Sequence, residues 1–132
     1  MVFALLPTGA LAKWILLTAF FSTTSTLQSL HFSAGVNLIR KIYTAAPAPE
    51  TSGLAARLFG TWNALSTVVR VYAAYDMDNR TLYDLCLWTY VIALLHFAQE
   101  TGFWGTTEFR KMLALEITPV ITIVWMVMAR AK

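Results

Sequence analysis

Four stretches of the chain are apolar almost without interruption: residues 9–30, 54–75, 82–99 and 112–129. Each is roughly 18–22 residues, the length of helix that crosses a hydrocarbon core of about 30 Å. The only other structure that spans a bilayer is a closed barrel, whose strands alternate apolar and polar positions in segments of about ten residues. These stretches do not alternate. The pattern therefore predicts an all-α membrane protein, a bundle of four transmembrane helices forming one domain over residues 1–132.

The borders carry their own signals. Thr51 and Ser52 stand where they can cap the second helix. Asp78-Asn79-Arg80-Thr81 separates the second and third stretches, and Thr81 with Asp84 has capping-box spacing. Asn79-Arg80-Thr81 is also a formal glycosylation acceptor, read here as a turn and a cap. Glu108 precedes the fourth helix, an acid at a positive helix end, and Pro119 is expected to kink that helix. Trp14, Tyr75 and Trp104 fall near helix ends, where amphipathic rings favour the interface. The first stretch leads into Ser22-Thr23-Thr24-Ser25-Thr26 without a small-x-small cleavage site, so it reads as a span, not a signal peptide. The longest connection, from His31 to Gly53, reads as a loop and as the one extramembrane docking surface of any size.

Helical spacing sorts each span into faces. In the second, Ala56, Gly60, Asn63, Thr67, Arg70 and Ala74 form a small and polar stripe, opposite Leu58, Trp62, Leu65, Val69 and Tyr72. Cys86, Thr89, Ala93, His96 and Glu100 share a face of the third, and Thr18, Ser22, Ser25 and Ser29 one of the first. Small residues let helix backbones approach in lipid, so the small stripes are expected inside and the bulky ones toward lipid. An antiparallel hairpin turning near Asn79 puts Arg57 level with Glu100, and Arg70 within about a turn of Asp84. Either Arg57 pairs with Glu100, or both long side chains snorkel to headgroups.

Composition sharpens this picture. The chain is 58% hydrophobic and 13% charged, where a soluble domain carries about a quarter charged residues. The net charge of +3 comes without a run of like charges, which argues for anionic headgroups and against nucleic acid as the partner. Lys13, Arg80, Arg130 and Lys132 fall at one end of the spans, and Arg40, Lys41, Arg57, Arg110 and Lys111 at the other. That division does not decide orientation. One cysteine, Cys86, permits no internal disulfide. Two histidines, His31 and His96, are too few for a di-iron site, and no dinucleotide or Walker motif occurs. No cofactor or metal is expected. His96 and Glu100, one turn apart, are the best candidates for chemistry, and an interhelix hydrogen bond explains them as well.

The residues also carry a resemblance. Leu54-Ala55-Ala56-Arg57-Leu58-Phe59-Gly60-Thr61-Trp62 followed by Val69-Arg70 is similar to the second span of the ergosterol biosynthetic protein 28 family. Asn79-Arg80-Thr81-Leu82-Tyr83, Leu87-Trp88-Thr89-Tyr90, Leu94-Leu95-His96-Phe97 with Glu100, and Gly105-Thr106 continue it. Upstream, Ser25-Thr26-Leu27-Gln28-Ser29 resembles the end of the family's first span, and the fourth matches by hydrophobicity alone. The resemblance implies a non-enzymatic multi-pass protein of the endoplasmic reticulum membrane. It would tether the sterol C-4 demethylation enzymes (a methyl oxidase, a decarboxylating hydroxysteroid dehydrogenase and a 3-keto reductase) and touch the sterol methyltransferase. Arg57, Gly60, Trp62, Arg70, Tyr83, Trp88, His96 and Glu100 are then interaction or packing positions. The competing expectation is a small intramembrane sterol-binding protein, transporter or enzyme that uses His96 and Glu100.

Overall fold

Four long helices and one short one account for most of the computed structural model, which describes residues 5–130. In chain order these are α1 (Ala10–Leu30), α2 (Phe32–Ile42), α3 (Gly53–Ala74), α4 (Arg80–Gln99) and α5 (Phe109–Arg130). A 3-10 turn, Ala48–Glu50, precedes α3, and a π-helical turn, Glu100–Trp104, ends α4. Lys132 lies outside the described residues.

The four long helices fall where the apolar stretches predict them, and all secondary structure among the described residues is helical. Arg80–Trp104 and Phe109–Arg130 are long and apolar enough to cross a membrane. α1 and α3 match them in length, 21 and 22 residues, but carry more polar side chains. Ser52 caps α3 as expected, accepting from the Ala55 amide at 3.2 Å. The cap of α4 is Asn79 and not Thr81: its side-chain oxygen accepts from the Leu82 amide at 3.2 Å. Asp84 is thereby free to turn outward and receive Arg130 of α5, with Nε and Nη2 at 2.7 and 2.9 Å. α5 runs through Pro119 as one helix.

The connection from His31 to Gly53 is not a plain loop. Residues 32–42 form α2, whose Ile39 and Ile42 are buried while Asn37, Arg40 and Lys41 are exposed. Apolar residues three apart, with basic residues between them, are a helical period. The run is too short to look like a span, which is why it passes for a loop.

α1 packs on α3 along the most extensive contact of the fold, and α4 packs on α5. The α1–α3 seam is built from small residues. A Cβ on Gly60 would lie 2.9 Å from Ser29 Cβ, and on α2 one on Gly35 would collide with the Ser29 carbonyl at the end of α1. Ala56, Gly60, Arg70 and Ala74 are buried as their stripe predicts, with Thr18, Ser22 and Ser29 facing them from α1. Leu58, Leu65 and Tyr72 are exposed on the opposite side. On α4 the buried positions are Tyr83, Cys86, Tyr90, Ala93 and Phe97, so three aromatic rings share the interior with the small residues.

Side-chain hydrogen bonds tie the helices into one bundle. Trp14 Nε1 donates to Thr122 Oγ1 at 2.8 Å, joining α1 to α5 instead of anchoring at the interface. Thr18 and Tyr90 share a 2.6 Å bond, and the Tyr83 hydroxyl donates to the Met126 carbonyl at 2.6 Å.

Candidate functional site

Two polar clusters stand out inside this frame. The first centres on Arg70, buried where α1, α3 and α4 meet. Its Nη1 donates to Ser22 Oγ at 2.7 Å and its Nε to Thr89 Oγ1 at 3.0 Å, and the guanidinium lies 4.0 Å from the centre of the Tyr90 ring. The expected proximity to Asp84 does not occur, because Asp84 belongs to Arg130 at the end of the bundle. Two hydroxyls and an aromatic face therefore solvate Arg70 in place of a carboxylate. This geometry makes Arg70 a three-helix fastener.

The second cluster lies at the opposite end of the α3–α4 hairpin. There the connection after α2 folds across the end of α4, held by a backbone hydrogen bond from Ala45 to the Thr106 carbonyl at 3.0 Å. The π-helical turn ends at Gly105, whose φ of 70° suits glycine, and the Thr106 amide donates back to the Glu100 carbonyl at 2.9 Å. Thr106 Oγ1 also donates to the Glu100 carboxylate. The Tyr43 hydroxyl and His96 Nε2 share a 2.7 Å hydrogen bond. Burial, with the Glu100 charge as a second cause, pushes the Tyr43 phenol above its ordinary value and holds it protonated. Phe59, Trp62 and Phe97 enclose the pair, with the Trp62 and His96 rings 5.3 Å apart and Tyr43 stacked on Phe97 at 6.0 Å.

Tyr43, Phe59, Trp62, His96, Glu100 and Thr106 line a cavity of about 420 Å³ together with Glu50 and Thr51 and the apolar Ile39, Ala46, Ala55, Leu58 and Ile92. Leu58 and Ile92 are themselves exposed, so the cavity opens sideways between α3 and α4. An apolar wall with a few convergent polar groups is the usual make-up of a small-molecule site.

The eight predicted positions separate on this geometry. Trp62, His96 and Glu100 meet at the cavity. Arg70 and Tyr83 hold helices together, and Gly60 permits the α1–α3 approach. Trp88 is 57% exposed on the outer face of α4. Arg57 does not pair with Glu100. It curls toward the start of α3, lining a groove with Arg40 and His31, while Glu100 turns to Thr106. The two line different cavities. His96 and Glu100 share the cavity, yet each bonds to a different partner. Tyr43 and Thr106 escape the sequence pattern. Both sit in connections, and only the folding of one connection onto the other brings them to the helix ends. Among the described residues, no group of three His, Cys, Asp or Glu could hold a metal ion.

Residues 11–128 match the family described as Erg28 like protein. The chain belongs to the Erg28 family. Ergosterol biosynthetic protein 28 of Candida albicans is 35% identical over 89% of this chain and 83% of its own length. The Saccharomyces cerevisiae protein of that name is 33% identical over 93% and 82%. The human ergosterol biosynthetic protein 28 homolog is 41% identical over 74% and 68%. No solved structure matches. The Erg28 match takes in all four long helices, with the Arg70 cluster and the Tyr43–His96 cavity between them.

Proposed function

We propose that this chain is a non-catalytic scaffold of sterol biosynthesis. In this reading it is a bundle of four transmembrane helices in the endoplasmic reticulum membrane that gathers the sterol C-4 demethylation enzymes and the sterol methyltransferase. The observation that carries the proposal is how the side chains are used in a member of a family named for ergosterol biosynthesis. Arg70, Tyr83, Tyr90 and Trp14 are engaged in fastening helices to one another, although the buried Glu116 carboxylate has no hydrogen-bond partner among the described residues, and the outer faces are broad and apolar.

The same physics supports four spans. α1 and α3 are more polar than α4 and α5, but their hydroxyls are turned inward on themselves. Thr23, Thr26 and Ser29 each donate to the carbonyl four residues earlier in α1, and Thr61 and Thr67 do so in α3. A hydroxyl satisfied by its own helix costs little in lipid. The outward residues of these helices are Leu17, Phe20, Phe21 and Leu27 on α1, and Leu54, Leu58, Leu65 and Val68 on α3. Packed against α4 and α5, they continue the apolar surface around the bundle. Such a surface, with short connections, can hold membrane-bound partners side by side. Tethering raises the effective concentration of successive enzymes without any new chemistry.

The test is a pull-down of the tagged chain in a gentle detergent, with co-purifying proteins identified. Joint recovery of the methyl oxidase, the decarboxylating dehydrogenase and the 3-keto reductase is the expected result. Recovery of the chain alone contradicts the scaffold.

A further inference from the structure

The cavity between α3 and α4 goes unused in a purely structural scaffold, and its lining mixes polar and apolar groups. Glu50, Thr51, Glu100 and Thr106 lie at the helix ends, and the Tyr43–His96 pair lies further in, against Phe59 and Trp62. Ala55, Leu58, Phe59 and Trp62 of α3 form the apolar and aromatic wall beside them. Ala55 to Trp62 is seven residues, about 10 Å of helix rise, comparable to the length of a rigid fused-ring body. The mouth between Leu58 and Ile92 opens onto the face where lipid lies.

We propose that this cavity binds a sterol, with its ring system against Leu58, Phe59 and Trp62 and its single hydroxyl or keto oxygen on the Tyr43–His96 pair. The inference rests on the sterol-biosynthesis reading above and adds a ligand to it. Charge selects among lipids. The described lining contains two carboxylates, Glu50 and Glu100, and neither lysine nor arginine. An anionic headgroup is repelled there, and Arg40, which donates to Thr51 at 3.4 Å, stands outside the lining. A neutral alcohol can donate and accept at once, and the Tyr43–His96 pair can do the same, because either partner can be the donor. The rings of Phe59 and Trp62 supply flat surfaces for fused rings. A sterol would enter from the side, between the exposed Leu58 and Ile92, and lay its rings along the apolar wall of α3.

The experiment measures binding of tritiated ergosterol to the purified chain in micelles, with tritiated dioleoylphosphatidylcholine as the comparison probe. Saturable ergosterol binding that excess unlabelled phospholipid does not displace is expected. Tyr43→Phe should weaken it about fivefold, the loss of one neutral hydrogen bond. The methyl ether of ergosterol, which cannot donate, should bind the wild type more weakly than ergosterol does, and Tyr43→Phe should narrow that gap. Leu58→Trp, at a position already exposed, should fill the mouth and weaken binding at least tenfold while the fold persists. Heat-induced labelling of the buried thiol of Cys86 reports that persistence. Wild type that prefers the phospholipid, or Leu58→Trp that binds ergosterol like wild type in a folded state, overturns the proposal. No enzyme is present in this assay, so its failure leaves the scaffold reading to the pull-down.

Discussion

The α1–α3 seam and the α3–α4 cleft share one helix and solve opposite problems. Along the seam, Ser29, Ala56 and Gly60 let two backbones approach until a single added methyl group would meet another side chain. Across the cleft, the helices are joined by a turn of a few residues, yet they part toward the far end. Phe59, Trp62, His96 and Phe97 stand between them there and leave the cavity open. Connection in sequence does not decide which helices pack most closely. Side-chain volume does, because in lipid no hydrophobic force draws apolar faces together and close approach must come from small residues and hydrogen bonds. The seam is thus the rigid part of the molecule and the cleft the part with space to offer.

Substitutions should separate the two regions, read as the temperature at which Cys86 becomes reactive to a thiol dye. Gly60→Leu should have the largest effect. Its side chain has no space against Ser29 and Leu30, and the seam must open, at a cost of about 3 kcal/mol or more. A wild-type melting temperature for this variant would mean that α1 and α3 do not meet there. Arg70→Ala comes next, since Arg70 bridges the seam to the cleft through Ser22 and Thr89. Removing it leaves a cavity and unfastened hydroxyls, worth roughly 2–4 kcal/mol. Arg70→Met fills the volume without the hydrogen bonds to Ser22 and Thr89 and should recover only part of that loss. If Met proves as stable as wild type, the fastener reading of Arg70 gives way to simple filling of space.

How far these regions are legible in the sequence follows from the same difference. The seam can be read directly, because Ala56, Gly60, Arg70 and Ala74 recur at helical spacing and small residues at that spacing have one meaning in lipid. The four helices are legible for the same reason. The cleft is not. Its central pair joins His96, on a predicted face, to Tyr43, in a stretch that reads as loop because α2 is too short to be a span. The expected level placement of Arg57 and Glu100 speaks only of depth, and depth does not fix the angle around a helix. The π-helical turn at Glu100 and the connection folded over it take the carboxylate to Thr106. The ion pair that forms among the described residues, Arg130 with Asp84, joins α4 to the last residue of α5. No helical period within one element reveals it.

Two smaller effects sharpen the comparison. Tyr43→Phe removes one partly buried hydrogen bond from the cleft and should cost about 1 kcal/mol, well below Gly60→Leu. An equal loss would show that the cleft, too, is a packed seam. Asp84→Asn, at an exposed ion pair, should shift the melting temperature least of all, because water and salt screen such pairs. A shift rivalling that of Arg70→Ala would place the Arg130–Asp84 contact in a far less polar setting than its exposure implies.

The most direct test of the scaffold itself is kinetic. The C-4 demethylation enzymes would be placed in vesicles with and without this chain, and both single-step rates and flux through the whole sequence measured. The account predicts that the chain raises multi-step flux and lowers the release of intermediates, while kcat for each separate step stays the same. Conversion of a sterol by the purified chain alone, or a single step that does not proceed without it, would contradict the account and return attention to His96 and Glu100 as reacting groups.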